Sequence, residues 1–195
     1  MKCLVFYAYP TEPDGQSLQG DYLYKGLLNA GVDAMPCHFK ESMQKEYYLK
    51  YLKPKIAFGV GFWGNVPEIV QEPLKYGVIP VPWFNADGWV ANYKEEFESL
   101  QLMFTTSDWV KSIYKRDGIN IDKIIPMHIG IDTDLFKPNN NPYLKKSVRE
   151  MLNISDDEKM ILTVGGDVTS KGAQEMIRAL AEVDKEFKNW KYVCK

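Results

Sequence analysis

Short, unbroken apolar runs recur along this chain, with helical patterns between them. The first is Lys2 to Tyr9, KCLVFYAY. Lys55 to Gly61, Val78 to Phe84, Leu102 to Thr106 and Ile121 to His128 follow. A strand with one wet face alternates polar and apolar residues. A run that does not alternate is buried on both faces, as in a parallel sheet. Val32 to Phe39 reads as a further strand. The segments between read as helices, near Ser17–Ala30, Pro67–Lys75 and Glu95–Leu100. Ser107 is a good N-cap for another helix, with Asp108 early, Lys115 and Arg116 late, and Gly118 past its end. Strand and helix in alternation predict an α/β fold with a doubly wound, Rossmann-like sheet.

The segment KPNNNP, from Lys137 to Pro142, interrupts this order and is the best linker in the chain. Residues 1–138 are expected to form the Rossmann-like N-terminal domain, 139–147 the linker, and 148–195 the start of a second α/β unit. That unit reads as a helix near Leu144–Leu152, an acidic loop Ser155–Glu158, a strand Lys159–Val164, a Gly-rich loop, a helix from about Gly172 to Phe187, and a strand beginning in WKYVCK. So short a piece is too small to bury a doubly wound core unaided. It is expected to be a domain cut short, or a small α/β cap on the first.

Composition narrows the partners. With 24 basic and 26 acidic residues, net −2, charge gives no case for nucleic acid. The three cysteines, Cys3, Cys37 and Cys194, have neither a disulfide nor a metal spacing, which points to a reducing cytoplasm. No apolar run is long enough to span a bilayer, though peripheral membrane contact stays open.

Ile161 to Val183, ILTVGGDVTSKGAQEMIRALAEV, carries the strongest site signal. Gly165 and Gly166 let a ligand approach the backbone, and the helix start offers free N–H groups to an anion. Lys171 sits at the same end, where a cation is unfavourable to the helix itself. A phosphate bridging the two would reverse that cost; a solvated lysine in a plain βα loop is the other reading. In the first βα loop, Pro10 to Ser17, Gly15 places backbone N–H groups at the crevice. IIPMHIGIDTDLFKP reads mainly as a crossover in which Phe136 anchors a turn in apolar surface.

The order YP…DG…helix, TTSDWVKSIYKRDGI, IIPMHIGIDTDLFKP and ILTVGGDVTSKG resembles family 4 of the GT-B glycosyltransferases. The resemblance runs over nearly the whole chain. It implies two Rossmann-like domains facing a cleft, and transfer of a sugar from a nucleotide sugar to an unknown acceptor, with retention. It implies no cofactor and no catalytic metal. By the same resemblance Lys171 holds the donor diphosphate with Gly165 and Gly166, and Gly15 lies beside the phosphates. The family often has an arginine where Gly166 stands, and many members have a histidine where Asn85 stands in PWFNADGW. Asn85, Asp87 and Trp63 are candidates for the acceptor side of the cleft. The family's downstream acidic pair would lie beyond Lys195. A stand-alone acceptor- or partner-binding module is the alternative.

Two motifs mislead. Gly59 to Gly64 spells GxGxxG, but it follows a later strand and carries Phe62 and Trp63, so NAD(P) binding is a weaker reading. Asp132-Thr133-Asp134 spells a metal–nucleotide signal in the context of the crossover. His38 and His128 have no metal-ligand spacing.

Overall fold

The structure is a computed structural model that describes residues 2–85, 88–165 and 171–195. The chain divides into two compact units, Met1–Asp132 and Thr133–Lys195.

The first unit is a six-stranded sheet, all parallel, in the order β2-β1-β3-β4-β5-β6. Its strands are β1 (Lys2–Tyr7), β2 (Asp33–His38), β3 (Ile56–Gly61), β4 (Ile79–Phe84), β5 (Met103–Thr105) and β6 (Ile124–Pro126). The apolar runs do become strands, and alternate residues feed opposite faces. Leu4, Phe6, Ala57, Phe84, Met103 and Ile124 face one core. Cys3, Val5, Tyr7, Val60 and Trp83 face the other. β6 is shorter than expected, because the chain turns at Asp122 and Lys123 and leaves the sheet after Pro126.

Helix α1 (Gly15–Asn29) covers the second face through Leu23 and Leu27. It can lie so close because Gly20 faces Tyr7: a Cβ at Gly20 would sit 2.3 Å from Tyr7 Cβ. The other crossovers pack on the first face. They are α2 (Ser42–Tyr47), which runs on into a π-helical turn Tyr48–Leu52, then α3 (Glu72–Lys75) behind a similar turn Pro67–Gln71, α4 (Lys94–Ser99) and α5 (Asp108–Arg116). Ser107 caps α5 as expected, its Oγ accepting from Val110 N at 3.2 Å, and Gly118 takes φ +86° beyond the far end.

The helix Ser42–Leu52 has no counterpart among the expected elements. It buries Leu49 and also Lys45, which is 2% exposed and reaches Glu72 at 2.5 Å. That pair ties α2 to α3.

The second unit holds α6 (Pro142–Met151), β7 (Lys159–Thr163), α7 (Ala173–Val183) and β8 (Trp190–Cys194). β7 and β8 pair in parallel, from Lys159 against Trp190 to Thr163 against Cys194. Arg149 of α6 donates to the carbonyls of Ser155 and Glu158, the latter at 2.8 Å, and fastens the acidic loop. Phe136 departs from expectation: it is 62% exposed and is not buried in apolar surface. The chain around it forms no strand or helix before Pro142.

Candidate functional site

The first unit's strand order reverses at β1, with β2 on one side and β3 on the other. Such a switch point leaves a crevice beyond the strands' C-terminal ends. A cavity of about 230 Å³ lies there, lined by Ala8, Ser17, His38, Phe39, Lys40 and Val60 among others. The loop that shapes it is held from within. Ser17, fully buried, donates to Ala8 O at 2.6 Å and accepts from Glu12 N at 2.8 Å. His38 stacks on Phe39 at 5.5 Å and accepts from Lys40 N through Nδ1 at 3.0 Å.

Gly15 opens α1 at the rim of this crevice and is exposed. A side chain there would meet nothing within 4 Å. The amides behind it are engaged, because the Asp14 carboxylate accepts from Gln16 N at 2.8 Å and Ser17 N at 2.9 Å. Helix α1 thus carries its own anion at its N-terminus.

Along the same edge, Asn85 follows β4 and donates its backbone N–H to Gly61 O at 2.8 Å. Trp63 sits in a 3₁₀ turn after β3, half-buried, with Trp89 5.2 Å away, ring to ring. Its Nε1 is buried without a hydrogen-bond partner among the described residues. The loop of Trp89 is fixed from α5. Asp117 accepts from Val90 N at 2.7 Å, and Arg116 donates to Gly88 O at 2.8 Å. The Arg116 guanidinium beside it, with the Val90 amide, holds the Asp117 carboxyl below its ordinary value. The structure therefore brings Asn85, Gly61 and Trp63 to one rim. Asp87 lies outside the described residues.

The glycines of the GxGxxG segment are occupied by the protein itself. A Cβ at Gly59 would be 2.6 Å from Ile69, and one at Gly61 2.7 Å from Asn65 Oδ1. That oxygen also accepts from Phe62 N at 3.2 Å. These glycines admit neighbouring side chains, a sufficient reason for each to be small.

In the second unit Lys171 and Gly165 do meet. Gly165 takes φ +136°, and a Cβ there would sit 2.9 Å from Lys171 Cγ, so the lysine stem lies over the glycine. Gly165 N donates to Lys195 O at 2.8 Å. Helix α7 begins behind Gly172, at φ +68°, whose lack of a side chain leaves α7 without a side-chain cap from that position. Gly166, the other candidate, lies outside the described residues.

His128 lies apart from His38. With Gln19, Tyr22, Leu23, Leu27, Trp83 and Met127 it lines an apolar cavity of about 330 Å³ beside α1. Gln19 braces its edge, donating to Gly130 O at 3.0 Å. Among the described residues no three His, Cys, Asp or Glu side chains gather as a metal site, and no helix is long and apolar enough to cross a membrane. Sequence reasoning did not single out Ser17, His38 and Lys40 as one site. Their only signal was position, at the ends of strands that the topology places side by side.

The fold is that of the N-terminal part of the GT-B glycosyltransferases, a six-stranded Rossmann-like sheet followed by a small second parallel sheet. The chain is similar to Anabaena HepE solved with UDP-glucose, at TM-score 0.72 and 11% identity, covering 100% of this chain and 60% of that one. It is similar to sucrose-phosphate synthase from Thermosynechococcus elongatus at TM-score 0.65 and 13% identity, covering 100% and 70%. A glycosyltransferase from Rickettsia africae gives TM-score 0.64 and 15% identity, covering 99% and 58%. The chain thus spans about 60% of the length of HepE. No family model matches it, and no curated protein matches it by sequence.

Proposed function

We propose that this chain is the N-terminal part, with the beginning of the donor-binding domain, of an enzyme that transfers a sugar from a nucleotide sugar to an acceptor. The observation that carries the reading is the likeness of the whole chain to HepE, a protein solved with UDP-glucose. The placement of Lys171 over Gly165 at the start of α7 supports it, because a diphosphate is the ligand that such a group would hold.

In this reading Lys171, Gly165 and Gly166 bind the donor diphosphate, with Gly15 beside it. The bond from the anomeric carbon to the diphosphate oxygen breaks, and the Lys171 ammonium balances the charge left on the diphosphate. The acceptor hydroxyl oxygen joins the anomeric carbon, and its proton passes to the departing diphosphate oxygen. The sugar is a hexose and is transferred with retention, without a metal, as the resemblance implies. Asn85, Asp87 and Trp63 contact the acceptor. Asn85 would do so by hydrogen bonding alone, since its side chain does not titrate. In this reading 1–138 is the acceptor-side domain and 148–195 begins the donor-binding domain, in the cytoplasm; the 139–147 linker overlaps the first turns of α6.

The test is calorimetry with UDP- and GDP-sugars, on this chain and on one lengthened by about one further domain of ~150 residues. Binding that Lys171→Ala weakens supports the reading and names the donor base. Folded protein of both lengths that binds no nucleotide sugar overturns it in favour of an acceptor- or partner-binding module.

A further inference from the structure

Helix α2 and the π-turn behind it present an apolar stripe to solvent. Met43 is 87% exposed, Tyr47 56% and Tyr51 63%. They follow at intervals of four residues, and the rings of Tyr47 and Tyr51 lie 5.1 Å apart. This is not a frayed end. The opposite side is fixed by Leu49 in the core, by the Lys45–Glu72 pair, and by Gln44, which accepts from His38 N at 3.2 Å. The packing that buries a lysine also turns a methionine and two tyrosines outward.

The charge around the stripe departs from that of the chain. Lys40, Lys50, Lys53 and Lys55 are all exposed, against Glu41 and Glu46. Lys50 Nζ lies 5.6 Å from the Tyr51 ring, beside the stripe. The whole chain is net −2, so this local excess of base is not a reflection of composition.

We propose that this face docks on an anionic lipid bilayer. Tyrosine rings prefer the headgroup level, where one end is apolar and the other wet. Methionine adds an apolar contact, and lysines extend along apolar surface to reach anionic headgroups. Four exposed lysines accompany the exposed apolar side chains, and that charge is complementary to an anionic surface. Docked in this way, the chain brings the crevice of His38 and Lys40, immediately before α2, to the lipid surface. A lipid-linked acceptor would then be within reach. That consequence rests on the sugar-transfer reading; the docking does not.

The experiment is flotation of the 195-residue chain with vesicles of phosphatidylcholine alone, or of phosphatidylcholine with about a quarter phosphatidylglycerol. The chain should float only with the anionic vesicles, and less as salt rises. Met43→Ser, Tyr47→Ser and Tyr51→Ser together should lower the bound fraction about tenfold, as should Lys50→Glu with Lys53→Glu. Unchanged circular dichroism and thermal midpoint would show both variants folded, since all five side chains are exposed. Folded wild type that does not float with anionic vesicles overturns the proposal, and so does flotation that neither variant reduces. A dimer that the triple variant makes monomeric, with no flotation, would assign the stripe to self-association instead. Nucleotide-sugar binding is measured separately, so failure here leaves the transfer reading standing, and the reverse.

Discussion

Leu4, Val5, Phe6, Val66, Ile69 and Phe84 of the first unit have no exposed surface at all. In the second unit the buried apolar side chains among the described residues are Ile154, Ala173 and Leu180. Helix α6 buries none of its residues, although its two faces are clearly sorted, and Leu162 and Ile177 stand more than half exposed. Both units are made of β-strand and α-helix in alternation, and both pair their strands in parallel. The difference lies in layers. Six strands covered on both faces bury a continuous core, whereas two strands with two helices do not close one. Stability should therefore be concentrated in residues 2–132, and amides of β7 and β8 should exchange with solvent far faster than those of β1, β3 and β4.

Truncation in the first core should give the largest effect. Phe6 is fully buried in β1, a strand flanked on both sides, so Phe6→Ala should cost about 3–5 kcal/mol, through lost burial and the cavity left behind. Denaturant unfolding followed by tryptophan fluorescence suits the measurement, because Trp63, Trp83, Trp89 and Trp109 all report on this unit. A loss below about 1 kcal/mol would mean that the core is not the source of stability.

Alkaline pH should separate the units next. Burial, the chief cause, pushes the Cys37 thiol from its ordinary 9.0 up to about 12. Burial raises Cys3 too. An unfolded chain releases these protons near pH 9, while the folded unit keeps them, so their contribution is complete below pH 9 and is lost as pH rises toward 12. Stability should fall across that window, and Cys37→Ala should flatten the fall. An unfolding midpoint that does not move between about pH 8 and 10 would refute this.

The helix starts differ as the cores do. Asp14 caps α1 with its own carboxylate, while α7 begins at a glycine. Asp14→Ala should cost about 1 kcal/mol in thermal or denaturant unfolding. A neutral result would show that the amides of Gln16 and Ser17 find another acceptor.

Patterning made most of the frame legible. Runs such as LVFY and the Ser107–Gly118 cap signals act locally or along one strand, so they survive reading in one dimension. The helix Ser42–Leu52 does not, because its pattern is inverted: Lys45 is buried, while Met43, Tyr47 and Tyr51 are out. Glu72, brought from a later helix, makes a buried lysine tolerable there. The glycines of GVGFWG were ambiguous for a related reason. What lies against Gly59 and Gly61 is decided by Ile69 and Asn65, whose approach depends on the turns after β3. Of the candidate site, Lys171 and Gly165 were legible as a loop and do lie together. The crevice of Ser17, His38 and Lys40 was not, since those residues meet only through the reversal of strand order at β1.

The smallest effect should come from the second unit's own strand. Leu162 lies within β7, where a parallel sheet covered on both faces would bury it, yet it is 52% exposed. Leu162→Ser therefore removes little burial, and only a modest strand propensity is lost. The expected change is within about 0.5 kcal/mol, against several for Phe6→Ala in a strand of the first sheet that is paired on both sides. Measured in a chain lengthened by a further domain, the same substitution becomes a probe of what covers β7. If added strands and helices close over Leu162, its cost should rise to roughly 2 kcal/mol or more. A cost that stays near zero there would mean that β7 keeps an open face, and that the likeness to the longer glycosyltransferases stops short of their second core.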